Sequence, residues 1–440
     1  MIYPRYPGYK DSGVEWLGEI PEGWTIQKLK YIASIKFSNV DKHTKKEEIP
    51  VSLCNYVDVY YNDFINNDLE LMKATATKAE IDKFALKKGD ILITKDSESW
   101  DDIAVPAYVN TDFEGVLCGY HLAQIRPNIK VACGKYIFRA FCSSVMNDQF
   151  KVEATGVTRY GLGKYWLDNA LFLLPPKDEQ TAIASFLDRE TERIDSLIAK
   201  KQRQIDLLQE KRSALISHAV TKGLDPNVRM KDSGIEWLGE IPEHWDIYRA
   251  KVLFKEINDR STTGEEELLS VSHITGVTKR SEKNVNMFMA ESLEGYKKCE
   301  PGDLVINTMW AWMGAMGIAF EPGIVSPSYN VYRPRTSDID PGFYDYMFRT
   351  GRFIAEVICQ SKGVWSSRLR LYPEAFFEIR LPYPPPQEQR EILKSIIKET
   401  GEYSLLQQKI EKSIEKLREY RSALISAAVT GKIDVREETA

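Results

Sequence analysis

Two stretches of this chain recur, and they recur at different offsets. Lys10-Asp11-Ser12-Gly13-Val14-Glu15-Trp16-Leu17-Gly18-Glu19-Ile20-Pro21-Glu22 returns 221 positions later as Lys231-Asp232-Ser233-Gly234-Ile235-Glu236-Trp237-Leu238-Gly239-Glu240-Ile241-Pro242-Glu243, and Trp24 maps to Trp245. Arg212-Ser213-Ala214-Leu215-Ile216-Ser217 returns 209 positions later as Arg421-Ser422-Ala423-Leu424-Ile425-Ser426. Between the repeats lie two blocks, about 25–174 and 246–383, that barely match one another. The plan is frame, variable block, frame, variable block. A duplicated frame around two divergent blocks points to two similar modules facing two different targets.

Each frame predicts one long helix, over 175–220 and 384–429. Pro175-Pro176 stops the preceding segment, and Asp178-Glu179 places acids in the first turn, where the helix dipole favours them. Leu187, Ile194, Ile198, Ile205, Leu208 and Leu215 then fall on heptad a and d positions, interrupted by Lys201 and Arg212. In the second copy Ile396, Tyr403, Ile410, Ile414, Leu417 and Leu424 keep the same register. Gly223 and Gly431 provide the stops. Such a helix is about 60 Å long. Its apolar seam is narrow and its other faces charged, so it needs a partner stripe, and its own copy is the obvious one. The Trp-Leu-Gly copy at 16–18 has no helix before it. By symmetry it should receive the end of the second helix, closing the chain into a pseudo-two-fold ring with antiparallel helices and neighbouring termini.

The variable blocks read as mixed β/α modules, so the fold class expected is α/β in the α+β sense. Strands are expected at 90–94, 122–125, 303–306 and 330–332. Faint equivalences survive between the blocks. Lys88-Gly89-Asp90 pairs with Pro301-Gly302-Asp303, Ile125-Arg126-Pro127 with Tyr332-Arg333-Pro334, and Gly156-Val157 with Gly363-Val364. The domain boundaries that follow are 1–176 and 223–384 for the modules, 177–222 and 385–430 for the helices, and 431–440 for a tail.

Composition excludes several classes. Net charge is −5, against the strongly basic balance usual for a chain that binds nucleic acid unaided. The start, Met1-Ile2-Tyr3-Pro4-Arg5, carries no apolar secretory core, and no run of about 18 apolar residues suggests a membrane span. Six cysteines in 440 residues, none in a CxxC pair, fit a reducing cytoplasm. Cys118, His121, Cys133 and Cys142 have no tight ligand spacing, and the second module lacks them, so no metal is expected. There is no GxxxxGK[ST] loop, no GxGxxG after a strand, no Asn/Asp-Pro-Pro-Tyr/Phe motif (Leu381-Pro382-Tyr383-Pro384 is not one) and no nuclease cluster. The chain is therefore expected to be non-catalytic.

The Trp-Leu-Gly-Glu-Ile-Pro-Glu-x-Trp opening, the Gly-Asp strand, the helix starts at Pro176-Lys177-Asp178-Glu179-Gln180 and Pro385-Pro386-Gln387-Glu388-Gln389, and the Arg-Ser-Ala-Leu-Ile-Ser helix end occur in doubled order along nearly the whole chain. In this the chain resembles the specificity subunits of type I restriction–modification systems. The resemblance implies two target-recognition domains, each reading one half of a bipartite, asymmetric site in double-stranded DNA. It implies helices that space the domains and dock two DNA methyltransferase subunits, joined by restriction/translocase subunits. Adenine methylation and ATP-driven cleavage then belong to the partners. S-adenosylmethionine, ATP and Mg are expected on those subunits and none on this chain. Two other classes compete: a standalone two-module hydrolase or nuclease, and a protein scaffold with no DNA role.

On that reading three loops of each module are candidate DNA contacts. Thr158, Arg159 and Tyr160 follow Gly156-Val157, and Trp365, Ser366, Ser367 and Arg368 follow Gly363-Val364. In the family this glycine-led loop often faces DNA, where Arg can clamp guanine or phosphate. Lys95 and Ser97 follow the first Gly-Asp strand, among the acids Asp96, Glu98, Asp101 and Asp102. Asn307 and Trp310 follow the second, with Met309 and Trp312; Asn can read adenine, and an apolar side chain a thymine methyl. Tyr120-His121 and Ser328-Tyr329 precede equivalent strands. For each loop the competing account is a solvated turn, a surface ion pair or core packing. Trp16, Trp24, Trp237 and Trp245, repeated in both frames, are expected to lock helix ends to modules.

Overall fold

The computed structural model describes residues 3–282, 292–363, 365 and 368–439. It divides into two compact units, Met1–Lys201 with Glu411–Ala440, and Gln202–Ile410. The helices run Lys177–Lys222 and Pro386–Val429, so each unit holds half of each.

In the first unit a five-stranded sheet runs in the order Ala33–Phe37, Leu122–Pro127, Ile91–Thr94, Pro106–Val109 and Phe64–Ile65. Helices Gly134–Cys142 and Ser144–Lys151 cover one face, and the sheet of Val116–Cys118, Ile49–Cys54 and Met72–Ala76 covers the other. The second unit repeats the central order as Phe254–Ile257, Tyr329–Pro334, Leu304–Asn307 and Met316–Ile318, with helices Pro341–Phe348 and Gly351–Gln360. All four expected strands are present within a residue or two of their expected ends.

The faint equivalences between the modules have a physical basis. Asp90 is 1% exposed and takes a two-pronged grip from Arg126, Nε to Oδ1 at 2.6 Å and Nη2 to Oδ2 at 2.7 Å. Asp303 and Arg333 repeat it at 2.8 and 2.7 Å. The Lys87 and Glu300 amides donate to the same carboxylates, each at 2.8 Å. The Gly-Asp and Arg-Pro pairs are thus two ends of one charge-assisted clamp, the strong kind of hydrogen bond. The clamp staples the sheet's central strand to its neighbour.

The frame motif is also explained locally. Asp11 Oδ1 accepts from the Gly13 amide at 3.0 Å, Ser12 N–H donates to the Gly18 carbonyl at 3.0 Å, and hairpin Tyr9–Asp11/Glu19–Pro21 follows. Asp232, Gly234, Ser233 and Gly239 repeat these bonds in hairpin Met230–Asp232/Glu240–Pro242.

Within the first unit the helix halves run antiparallel. Arg421 meets Asp195, while Gly431 lies under Pro21 and Trp24, whose indole N–H donates to Glu179 Oε1 at 2.9 Å. The two end segments of the chain meet within this unit: the Asp434 amide donates to the Pro4 carbonyl at 2.8 Å, and the Tyr9 hydroxyl to the Gly431 carbonyl at 3.0 Å. The second unit matches, with Gly223 against Trp245 and Glu388, and Lys211 over the Tyr403 ring at 5.5 Å. Leu187, Ile194, Ile205, Ile396, Ile410, Ile414 and Leu424 are buried, as the heptads require. One expectation needs refinement. Trp24 and Trp245 receive the helix ends, but Trp237 packs edge-on against Phe353 and Trp16 is 42% exposed beside Val145 and Val152. The Pro-x-x-Trp part of the motif meets the helix-ending glycine, while Leu17 and Leu238 of Trp-Leu-Gly are buried in the same cores as the helix ends.

The glutamines at the helix starts make the other joint. Gln180 Oε1 accepts from the Cys133 amide at 2.7 Å, and its Nε2 donates to the Pro175 carbonyl at 2.9 Å. Gln389 does the same with the Asp340 amide and Pro384 carbonyl, both at 2.8 Å. Among the described residues no helix is long and apolar enough to cross a membrane.

Candidate nucleic-acid interface

In the first module the three loops converge. Strand Asp96–Ser97 pairs with Tyr160–Gly161, which places the loop after the Gly-Asp strand beside the glycine-led loop. The Lys95 amide donates to the His121 carbonyl at 3.1 Å, and the Leu162 amide to the Lys95 carbonyl at 2.8 Å. Thr155 and Gly161 exchange two backbone hydrogen bonds across the loop mouth, which brings the chain back so closely that a Cβ on Gly156 would overlap the Arg159 carbonyl oxygen. Only glycine fits there. The tip it creates stands in solvent: Thr158 and Arg159 are exposed, and Val157 is 93% exposed.

Asp96 is the electrostatic centre. Its carboxylate lies within ion-pair distance of three groups, Arg159 Nη2 at 2.8 Å, His121 Nδ1 at 2.6 Å and Lys95 Nζ at 3.6 Å. Lys95 also sits 4.6 Å over the Tyr120 ring. One carboxylate thus holds three cationic or polar side chains in a cluster, with Arg159 still half exposed. A cleft beside them is walled by Tyr56, Tyr60, Tyr61, Glu98 and Asp102. Such a face offers donors from Arg159, Lys95 and His121 and acceptors from Glu98 and Asp102, the two kinds of group needed to read base edges.

The second module builds the same junction from other residues. Lys362 and Arg370 exchange backbone bonds, each 3.0 Å, across the loop begun by Gly363, whose Cβ would meet the Arg368 carbonyl oxygen at 2.6 Å. The Leu371 amide donates to the Thr308 carbonyl, as Leu162 does to Lys95. Thr308 Oγ1 donates to the Ser328 carbonyl at 2.9 Å, joining the third loop. The exposed groups here are Met309, Trp310, Ser328, Trp365 and Arg368. Trp310 lies parallel to Trp312 at 6.5 Å. This face is aromatic where the first is charged.

The comparisons with known proteins fall on this architecture. Residues 21–207 match the family model for the type I restriction modification DNA specificity domain. Over 438 residues the chain is 22% identical to the type I restriction enzyme MjaVIII specificity subunit of Methanocaldococcus jannaschii, covering 95% of this chain and 94% of that one. Residues 21–207 thus carry a type I restriction specificity domain, and along nearly its whole length the chain is similar to a type I specificity subunit. It is also 26% identical over 232 residues to the putative type I restriction enzyme MjaX specificity subunit of the same organism, a match spanning about half of each chain, 52%. In fold it is similar to a chain solved in work on complex assembly and conformational transition of the type I R-M system (TM-score 0.67, 15% identity, 93% of this chain and 98% of that one). It is similar also to an HsdS subunit from Thermoanaerobacter tengcongensis (TM-score 0.53, 16% identity, 94% and 98%).

In this chain the candidate residues separate by exposure. Lys95, Tyr120, His121, Arg159 and Tyr160 share one face with the exposed Thr158, and Trp310, Ser328, Tyr329 and Arg368 line the other module's loops. Two expected side chains face inward instead. Ser97 is 5% exposed, its hydroxyl 3.0 Å from that of Tyr56. Asn307 is 6% exposed, and its carbonyl oxygen accepts from the Met309 amide at 3.3 Å. Both close the turn that follows the Gly-Asp strand. Ser366 and Ser367 lie outside the described residues. Sequence reasoning missed Tyr56, Tyr60 and Tyr61, which belong to the short helix Tyr56–Tyr60 and its end. The Asn55-x-x-Asp58 spacing was the available signal: the Asp58 carboxylate accepts from the Asn55 amide at 2.7 Å and starts the helix. Cys118 is buried and Cys142 half-buried, its thiol pushed up to about 12 by desolvation, and His121 is held by Asp96. Among the described residues no group of three or more possible ligands is placed to hold a metal.

Proposed function

We propose that each module reads one half of a split, asymmetric site in double-stranded DNA, and that the two long helices set the distance between halves and carry two methyltransferase subunits, joined by restriction subunits. The observation that carries this reading is the repeated three-loop junction. The backbone joints are the same in both modules, and the exposed side chains differ: Arg159, His121 and Lys95 in one, Trp310, Trp365 and Arg368 in the other. One scaffold with two different faces suits a non-palindromic site. Net charge of −5 favours partner subunits that supply part of the DNA grip. The chemistry is assigned to the partners: adenine methylation from S-adenosylmethionine, and ATP- and Mg-dependent cleavage.

Methylome sequencing of cells expressing this chain with its methyltransferase subunit tests the reading. The expected result is a single bipartite motif with one methylated adenine in each half, on opposite strands. A methylome without such a motif, or one produced equally by the methyltransferase alone, would refute it. A second experiment addresses the spacing. Removing about four residues, one helical turn, from each long helix should shorten the unread gap by about one or two base pairs and keep both half-sequences. An unchanged gap would remove the helices from the role of spacer.

A further inference from the structure

The frame's duplication offers an internal control at one position. Arg421 sits in a crevice of the first unit, between the helix pair and the module, and two carboxylates hold it: Asp63 at 2.6 Å and Asp195 at 3.0 Å. Its copy, Arg212, lines the matching crevice of the second unit with Ser213 and Ile216, the copies of Ser422 and Ile425. The acids are missing there. Asp195 corresponds to Ser404, whose hydroxyl donates to the Thr400 carbonyl at 2.9 Å. The one carboxylate lining the crevice, Asp345, accepts from the Ile318 amide at 2.9 Å and lies 3.5 Å from Arg349. Among the described residues no carboxylate comes within ion-pair distance of Arg212, which is exposed. His273 and Arg349 line the same crevice, and the first turn of helix Gly351–Gln360 adds its positive end.

We propose that this crevice holds a backbone phosphate of the DNA, with Arg212 as its cation. The proposal rests on the DNA-reading role above. The crevice borders the reading face: in the first unit Tyr61 lines both the crevice and the base-facing cleft. In the second, the turn after strand Leu269–Ser272, which matches the segment after Ile49–Cys54, puts His273 into the crevice. A phosphate beside a base-reading surface fixes register without carrying sequence information. The grip is therefore one-sided. The second unit clamps the backbone at a place where the first unit has neutralised its own arginine.

The test uses the full chain assembled with its methyltransferase subunits and a duplex bearing the bipartite site. Arg212→Gln should lower the slope of log affinity against log salt by about 0.9, the value for one phosphate contact, and weaken cognate and unrelated duplexes alike. Arg212→Lys should keep the slope. A scan of neutral methylphosphonate linkages should find one position in the second half-site that weakens the wild type and leaves Arg212→Gln unaffected. An unchanged slope and an unchanged scan would overturn the proposal. So would loss of methyltransferase co-purification with the slope retained, which makes the crevice a socket for an acidic protein side chain. If the wild-type complex shows no site preference at all, the DNA-reading role fails as well; if it shows one and only the Arg212 result is negative, that role stands.

Discussion

Replacing Arg126 with methionine will destabilise the first unit by about 3–5 kcal/mol. The substitution leaves Asp90 charged at 1% exposure after its only guanidinium has gone, and breaking one side of a buried ion pair costs about that much. Gln124 Nε2, at 2.7 Å, and the Lys87 amide still donate to the carboxylate, so the protein should fold. Replacing Asp90 and Arg126 together with apolar residues of similar size should cost markedly less, because no charge is stranded. Urea denaturation followed by circular dichroism gives both numbers, and the single variant should show a separate early transition, since only one unit is weakened. A loss below about 1 kcal/mol for Arg126→Met would mean that the clamp is a surface pair of little worth.

The second large effect is expected at Trp24. Its indole is 1% exposed, stacks edge-on with Tyr6 at 5.7 Å, donates to Glu179 and lies against Gly431. Trp24→Ala should cost about 3–5 kcal/mol, the usual range for a buried tryptophan. Trp16→Ala, eight residues away in the same repeated motif, should cost less than about 1 kcal/mol, because that ring is already 42% exposed. Parallel denaturation of the two variants decides the matter. Equal losses would contradict the assignment of Trp24 as the helix socket.

The frame was legible because its signals are local. Gly223 and Gly431 stop the helices with φ of +76° and +72°, values that glycine adopts freely, and the heptads predict the buried seam. The clamp was half legible. Gly-Asp and Arg-Pro stood out as equivalent pairs, but 36 residues separate Asp90 from Arg126, and nothing local says that they meet. The reading face was least legible. Whether Ser97 or Asn307 points in or out depends on how the turn closes, and both turn inward to satisfy neighbouring polar groups. Tyr56-Val57-Asp58-Val59-Tyr60 alternates as a strand does, yet forms a helical turn because the Asp58 carboxylate captures the Asn55 amide.

The joints made by Gln180 and Gln389 have an evolutionary consequence. Each binds main-chain atoms of its module, the Cys133 and Asp340 amides and the Val131 and Asp338 carbonyls, and reads no side chain there. Tyr136 and Tyr344 likewise donate to the Leu173 and Pro382 carbonyls. These two joints ignore side-chain identity in the module, whereas Asp63 and Arg139 of the first module reach Arg421 and Asp188 of the helices through side-chain ion pairs. On the proposed reading, an insert that keeps the backbone shape and supplies its own ion partners exchanges between the near-identical frame segments and leaves the other module's specificity intact.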